Sequence, residues 1–315
     1  MTRAFIFPGQ GSQAVGMGKA LAERFPAARA VFDEVDAALG QKLSEILFAG
    51  PIETLTLTEN AQPALMAVSM AIMRVLEAEH GFKLVDKVKF VAGHSLGEYS
   101  ALAAAGTFSI GDAARLLRLR GQAMQKAVPV GVGAMTALLG VDIATARTIA
   151  AEAAQGDVCD VANDNDPGQV VLSGHKTAID RVAAVGKAHG LRRAMPLPVS
   201  APFHCRLMQP AADAMAEALA HVTMHRPAVP VIANVVAAPV SDPALIRKHL
   251  VEQVVGTVRW RECMLAMAGA GITEFYEIGT GKVLSGLAGR IDKSMKATPV
   301  GTPDDIAAVA ASLAS

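Results

Sequence analysis

Val88-Lys89-Phe90-Val91-Ala92-Gly93-His94-Ser95-Leu96-Gly97 is the stretch on which the fold turns. A mostly apolar strand signal at 88–92 breaks into Gly-x-Ser-x-Gly, and the alanine-rich residues 98–105 then read as a helix. Such a turn lifts the Ser95 hydroxyl out of the sheet edge. It also sets the serine at a helix N-terminus, where backbone N–H groups point at a developing oxyanion. Both glycines suit a tight turn that a side chain would crowd. Gly-x-Ser-x-Gly alone is a common pattern. The strand–turn–helix context makes Ser95 the candidate nucleophile rather than a chance turn serine.

The flanking chain continues the alternation. Residues 4–7 read as a buried strand running into the breaker cluster Pro8-Gly9-Gln10-Gly11-Ser12-Gln13. Residues 16–38 are helical in pattern. Thr58-Glu59-Asn60-Ala61-Gln62-Pro63 reads as a break, with Pro63 opening an apolar helix over 64–79. An amphipathic helix spans 111–126. This predicts an α/β layer architecture with a parallel sheet.

Residues 128–199 read differently. Strands are expected at 133–141, 157–162, 169–173 and 191–197, and helices at 145–154 and 176–189. The turn-rich Asn163-Asp164-Asn165-Asp166-Pro167-Gly168 joins the middle strands. That order, βαββαβ, is the ferredoxin-like unit. The α/β pattern then resumes, with helices near 208–220, 245–253 and 259–268 and strands at 231–234 and 274–278. Gly279-Thr280-Gly281 precedes another helix. Residues 1–127 and 200–315 are therefore expected to form one large domain, with 128–199 inserted as a small one.

Composition narrows the function. The 29 Lys+Arg balance 29 Asp+Glu, which argues against a general nucleic-acid binder needing a basic excess. Cys159, Cys205 and Cys263 lie far apart without a C-x-x-C, which excludes a disulfide scaffold or a cysteine-rich zinc site. They suit a reducing cytoplasm. The apolar run 4–7 is too short for a signal-peptide core. Others, such as 64–73, fall well below the roughly 18 residues of a membrane helix.

A serine nucleophile needs a base. Of eight histidines, His80, His189 and His221 lie toward helix ends, where a cation meets the C-terminal dipole. His94 abuts the serine and is expected to point away from it. His204 stands out, on the proline-broken loop Pro198-Val199-Ser200-Ala201-Pro202-Phe203-His204-Cys205 at a strand end. A structural loop histidine is the competing reading. No acidic third member announces itself; Asp157, Asp160, Asp164 and Asp166 read as turn and strand-end residues. Gly9-Gln10-Gly11 fails the G-x-G-x-x-G spacing, and Gly279-Thr280-Gly281-Lys282-Val283 lacks the first glycine and the Ser/Thr of a P-loop. Neither is a phosphate cradle; the first loop is better placed to bring a second N–H donor toward Ser95. On the residues alone, Arg120 reads as a solvated helix arginine like Arg115 or Arg118.

Taken together, several motifs add a resemblance. Phe7-Pro8-Gly9-Gln10-Gly11-Ser12-Gln13, Thr58-Glu59-Asn60-x-Gln62-Pro63-Ala64 and Gly93-His94-Ser95-Leu96-Gly97-Glu98-Tyr99 occur in order. Arg120-Gly121, Asn165-x-Pro167-Gly168-Gln169-Val170-Val171, Pro202-Phe203-His204 and Gly279-x-Gly281-Lys282-Val283-Leu284 follow. Over essentially its whole length the chain resembles the malonyl-CoA:acyl-carrier-protein transacylases, the malonyl loading enzymes of fatty-acid synthesis. The resemblance implies an α/β-hydrolase-like large domain with a ferredoxin-like insert. It implies ping-pong transfer through a malonyl ester of Ser95, with His204 as base and no cofactor, malonyl-CoA being a substrate. The matching residues put the oxyanion hole at the backbone N–H groups of Gln10 and Leu96. They give Arg120 the free carboxylate of the malonyl group, and they have the main-chain carbonyl of Gln253 orient His204. Asn165 falls on the approach of the pantetheine arm. Phe203 would crowd a methyl branch, favouring malonyl over methylmalonyl. Three positions depart from the family pattern: Asp164 and Asp166 flank Asn165, and Thr280 replaces the usual proline.

The implied partners are malonyl-CoA and an acyl carrier protein, with the enzyme a cytoplasmic monomer. A serine hydrolase or thioesterase on the same scaffold, a polyketide-pathway malonyltransferase and an inactive carrier-docking protein are the alternatives. Coenzyme A and acidic carriers both need local basic surface. Lys187, Arg192 and Arg193 form one candidate patch, and Arg290, Lys293 and Lys296 another.

Overall fold

A computed structural model of the chain describes residues 2–199 and 201–314. Residues 1, 200 and 315, which begin or end the expected segments, lie outside the described residues. The strands are β1 (Arg3–Phe7), β2 (Phe90–Gly93), β3 (Gly133–Leu139), β4 (Cys159–Asp166), β5 (Gln169–His175), β6 (Arg193–Pro196), β7 (Val231–Ala233), β8 (Ala238–Val240), β9 (Glu274–Ile278) and β10 (Lys296–Val300). Among the described residues they form two sheets. The first has the order β10-β9-β1-β2-β7-β8, the second β4-β5-β3-β6.

In the first sheet β10, β9, β1, β2 and β7 run parallel. β8 pairs antiparallel with β7, so the sheet is mixed rather than purely parallel as expected. The turn between them, Asn234-Val235-Val236-Ala237, carries no glycine or proline to announce it. Ala237 supplies the left-handed residue, at φ 50°. β1 lies central, and Ala4, Phe5, Ile6 and Phe7 are wholly buried, as a continuous apolar run demands of a strand covered on both faces.

Three expected boundaries moved for local reasons. The helix expected over 16–38 is two helices, Lys19–Arg24 and Pro26–Leu39. Phe25 between them is extended, because a residue preceding proline is forced out of the helical region. The helix expected to open after Pro63 instead spans Thr58–His80, with Pro63 inside it. Pro63 is only the sixth residue, so the proline forgoes one hydrogen bond, to the Glu59 carbonyl, while burial of nearly every neighbour holds the helix.

The third change matters for function. The stretch 163–166, expected as a turn, belongs to β4, and only Pro167-Gly168 turns. β4 shifts register against β5 between Val161 and Asn163 and again between Asp164 and Asp166. Such bulges re-aim side chains. Asp164 pairs with Arg261 at 2.8 Å and Asp166 with Arg290 at 2.7 Å. Main-chain bonds from Asp164 N–H to the Val258 carbonyl and from Val258 N–H to the Ala162 carbonyl join this strand to the segment after the helix Pro243–Val255. The second sheet is thereby tied to the first layer beside the serine turn. Its own antiparallel pairs, β3–β5, β3–β6 and β4–β5, enclose a separate small core around Leu138, Ile149, Val170, Leu172 and Val182.

Candidate active site

The turn after β2 is built by close approach of backbones. A Cβ on Gly93 would lie 1.9 Å from the Gly97 carbonyl oxygen, and one on Gly97 2.3 Å from the Phe7 carbonyl oxygen. Only glycine lets the end of β1 pack against the turn. Ser95 is thrown into the left-handed region, at φ 54°, which costs a non-glycine residue about 1–2 kcal/mol. Outliers of this kind concentrate at functional sites. The helix Gly97–Ala104 starts two residues on, so its N-terminus faces the serine. The Ser95 N–H is already satisfied by Asn234 Oδ1 at 2.9 Å. The sequence-expected donors, Gln10 and Leu96, both line the cavity into which Ser95 opens.

His204 also has a positive φ, 57°, and is 4% exposed. Its Nε2 lies 2.7 Å from Ser95 Oγ, and its Nδ1 lies 2.8 Å from the Gln253 main-chain carbonyl. A carbonyl only accepts, so Nδ1 carries the proton and Nε2 is left to accept from the serine hydroxyl. Burial, followed by the nearby positive charge of Arg120, pushes the His204 pKa down to about 3. The imidazole is thus neutral and ready to take a proton at any physiological pH. A neutral carbonyl as its orienting group explains why no third acidic residue stood out.

Arg120 is not solvated like Arg115. It is 1% exposed, from the helix Ile110–Ala127. Nη1 donates to Gln62 Oε1 at 2.8 Å; Nη2 donates to Gln253 Oε1 at 3.0 Å and to Ser95 Oγ at 3.2 Å. Its Nε is buried without a hydrogen-bond partner. Nε and Nη2 form one edge of the guanidinium, the edge that grips a carboxylate bidentately. The structure therefore holds a desolvated cation with an unpartnered Nε–H on the edge that also touches Ser95 Oγ.

Gln253 proves larger than the carbonyl expected of it. Its side-chain Nε2 donates to the Ser95 carbonyl at 3.1 Å, to Glu98 Oε2 at 2.8 Å and to Asn234 Oδ1 at 3.2 Å. Gln62, Glu98 and Asn234 were missed as participants. Gln62 and Glu98 lie inside motifs the sequence displays. Asn234 ends a short strand and carries no signal of its own.

His94 turns away from Ser95, as expected, but it is not idle. Its Nε2 lies 2.9 Å from Asn165 Oδ1, and its ring packs 5.6 Å from that of Trp260. Burial lowers its pKa. Asn165 thus bridges the bulged β4 to the serine turn. The cavity over Ser95 is about 400 Å³, bounded by Gln10, Leu96, Arg120, Phe203 and His204 among others. A second cavity of about 310 Å³ shares Gln10, His94, Asn163 and Leu197 with it and extends past Asn165 to Val283, Leu287 and Arg290. Of the basic residues singled out, only Arg290 reaches this second cavity. Among the described residues no three or more His, Cys, Asp or Glu gather as a metal site, and no helix is long and apolar enough to cross a membrane. The three cysteines are free and buried.

Comparison with known proteins places these features in context. The acyl transferase domain family matches residues 4–288. The malonyl CoA-acyl carrier protein transacylase of Escherichia coli strain K12 is 46% identical over 305 residues, 97% of either chain. The crystal structure of an acyl-carrier-protein S-malonyltransferase from Bartonella henselae is 56% identical, covers both chains completely and superposes with a TM-score of 0.97. A malonyl-transacylase solved in complex with its type II PKS acyl-carrier protein is 41% identical. It covers 99% of this chain and 100% of that one, with a TM-score of 0.95.

Proposed function

This chain belongs to the acyl transferase family, among its malonyl CoA-acyl carrier protein transacylases, and from that membership we propose a two-step transfer through Ser95. The overall activity is that of an acyltransferase moving a malonyl group from malonyl-CoA to acyl carrier protein. In the first step His204 Nε2 accepts the Ser95 proton as Oγ attacks the malonyl thioester carbonyl. The N–H groups of Gln10 and Leu96 receive the developing oxyanion, and coenzyme A leaves as the thiol, taking the proton back from His204. In the second step His204 accepts the proton of the carrier's phosphopantetheine thiol, and the sulfur attacks the malonyl-serine ester. The malonyl thioester forms and the Ser95 hydroxyl is restored.

The observation that carries this reading is the buried Arg120, with Nη2 at 3.2 Å from Ser95 Oγ and Nε free of a partner. A malonyl group on Ser95 sets its free carboxylate one carbon from the ester, within reach of that edge. A guanidinium buried this fully selects for a charged acyl group, because an acetyl group leaves it unpaired.

The finer architecture belongs to the same proposal. Residues 1–127 and 200–315 form an α/β-hydrolase-like domain and 128–199 a ferredoxin-like insert. The insert's sheet order β4-β5-β3-β6 supports this, matching the interleaved order of a βαββαβ unit. The enzyme needs no cofactor, works as a monomer in the cytoplasm and meets its carrier over the second cavity. Arg290 at that cavity favours the Arg290, Lys293 and Lys296 patch over Lys187, Arg192 and Arg193.

Intact-protein mass measurement tests the reading. Malonyl-CoA should leave a malonyl adduct that Ser95→Ala abolishes and that a thiol acceptor discharges. No adduct, or rapid release of free malonate without an acceptor, would favour the hydrolase and overturn it.

A further inference from the structure

Glu98 has no part in the steps above, yet it is buried to 1% exposure under the serine turn. Its Oε2 accepts the Asn234 N–H at 2.9 Å and the Gln253 Nε2–H at 2.8 Å. Both donors belong to residues that hold the reacting groups. Asn234 accepts from the Ser95 N–H and donates Nδ2–H to the Gly93 carbonyl at 2.8 Å. Gln253 receives His204 on its main chain and Arg120 on its side-chain oxygen.

The Gln253 amide has two faces, and only one assignment satisfies its surroundings. Its NH2 group faces three acceptors: the Ser95 carbonyl, Asn234 Oδ1 and Glu98 Oε2. Its oxygen faces the Arg120 donor. Glu98 contributes the shortest contact on the NH2 side and the only negative charge there. The titratable groups that face it are Arg120, Tyr99 and Cys263. Burial raises the pKa of Tyr99 and Cys263, so both stay neutral and Arg120 is the sole countercharge.

We propose that Glu98 is a positioning residue for the transfer: through the Gln253 amide it aims the Arg120 guanidinium and steadies the carbonyl that orients His204. The inference rests on the transfer reading above. Burial also pushes the Glu98 pKa up to about 7, while His204 stays neutral down to about 3. Rate should therefore rise with pH through about 7 as Glu98 ionises, with no contribution from His204 in that range.

The test follows malonylation of Ser95 from a malonyl N-acetylcysteamine thioester, which carries no phosphate to titrate. The rate is expressed per active site, counted by the mass of the adduct, for the wild type, Glu98→Gln and Glu98→Asp from pH 5.5 to 9. Glu98→Gln keeps the shape and removes the charge. It should lower kcat/KM above pH 7 by about 10- to 100-fold, the scale of a hydrogen bond to a charged group, and abolish the rise near 7. Glu98→Asp keeps the charge but draws it back from Gln253, so it should lose rate and keep the rise. It decides the matter if Glu98→Gln does not fold. Wild-type rate per site in either variant, or the same rise near 7 in Glu98→Gln, overturns the proposal. Failure of the wild type to form any adduct would refute the transfer reading instead.

Discussion

Replacing Arg120 by alanine separates recognition of the malonyl carboxylate from the chemistry at Ser95. In the native site the guanidinium spends Nη1 on Gln62 and Nη2 on Gln253, and keeps Nε buried and unpartnered. A bound carboxylate on the Nε–Nη2 edge would satisfy Nε and take over the hydrogen that Nη2 now gives to Ser95 Oγ. Removing one member of a desolvated charge pair costs about 2–5 kcal/mol, which is about 30- to 5000-fold in kcat/KM. Acetyl transfer makes no such pair, so it should change by less than about 10-fold. It could even improve, because the wild-type enzyme must keep an unpaired buried cation while acetyl is bound. The malonyl-to-acetyl preference should thus collapse by about two orders of magnitude. The rate of adduct formation on Ser95, read by intact mass after rapid quenching with malonyl-CoA or acetyl-CoA, measures both arms. Arg115→Ala is the control, since Arg115 is half-exposed and pairs with Asp112; both rates should stay at wild type. Equal losses for the two acyl groups in Arg120→Ala would refute the carboxylate role, leaving Arg120 as a support for Gln253.

Other perturbations read other parts of the site. Gly97→Ala puts a methyl 2.3 Å from the Phe7 carbonyl oxygen; a loss of about 3 kcal/mol or more in urea unfolding is expected, and a loss under 1 kcal/mol would refute the close approach of β1. His204 stays neutral in the folded protein down to about pH 3 but takes up a proton in the unfolded chain below its ordinary value of 6.5. Stability should therefore fall on acidification between those limits, by about 2 kcal/mol from pH 6.5 to 5. In His204→Gln that share of the slope should vanish, and an unchanged slope would refute it. Phe203 is 8% exposed and lines the cavity beside His204; Phe203→Ser should raise the methylmalonyl-to-malonyl ratio about 10-fold or more, measured by competition for Ser95. Arg290→Glu should slow transfer to carrier protein at low salt and spare transfer to free pantetheine. A like effect on both acceptors would exclude that surface.

The parts of the site readable from sequence are those whose backbone requirement and chemistry coincide in one short segment. Gly93 and Gly97 bracket Ser95 because two chain segments pass within a Cβ's width, and that need leaves glycines at fixed spacing. His204 lay on a loop broken by prolines, and its left-handed φ is the conformational counterpart of that break. Arg120 was legible only through resemblance. Nothing local separates it from Arg118, two residues earlier on the same helix, until packing buries Arg120 fully beside Ser95 and leaves Arg118 partly buried against Asn60. Polar side chains misled in the opposite direction. Asn163 to Asp166 read as a turn because such residues usually bond their own backbone. Here Arg261 and His94 supply Asp164 and Asn165 with partners from distant segments, so the strand continues to Asp166, which pairs with Arg290 and accepts the Gly168 N–H where the turn begins. The same reasoning explains the missing acidic triad member. A carboxylate close to the His204 ring would pair with Arg120 and compete with the substrate for it. A main-chain carbonyl orients the ring without adding charge, and Glu98 offsets Arg120 from behind the Gln253 amide. The Arg120 Nε–H is left without a partner, as the proposed carboxylate role requires. On the proposed role of Arg120, selectivity for a charged acyl group and the absence of an acid beside His204 are two consequences of one electrostatic arrangement.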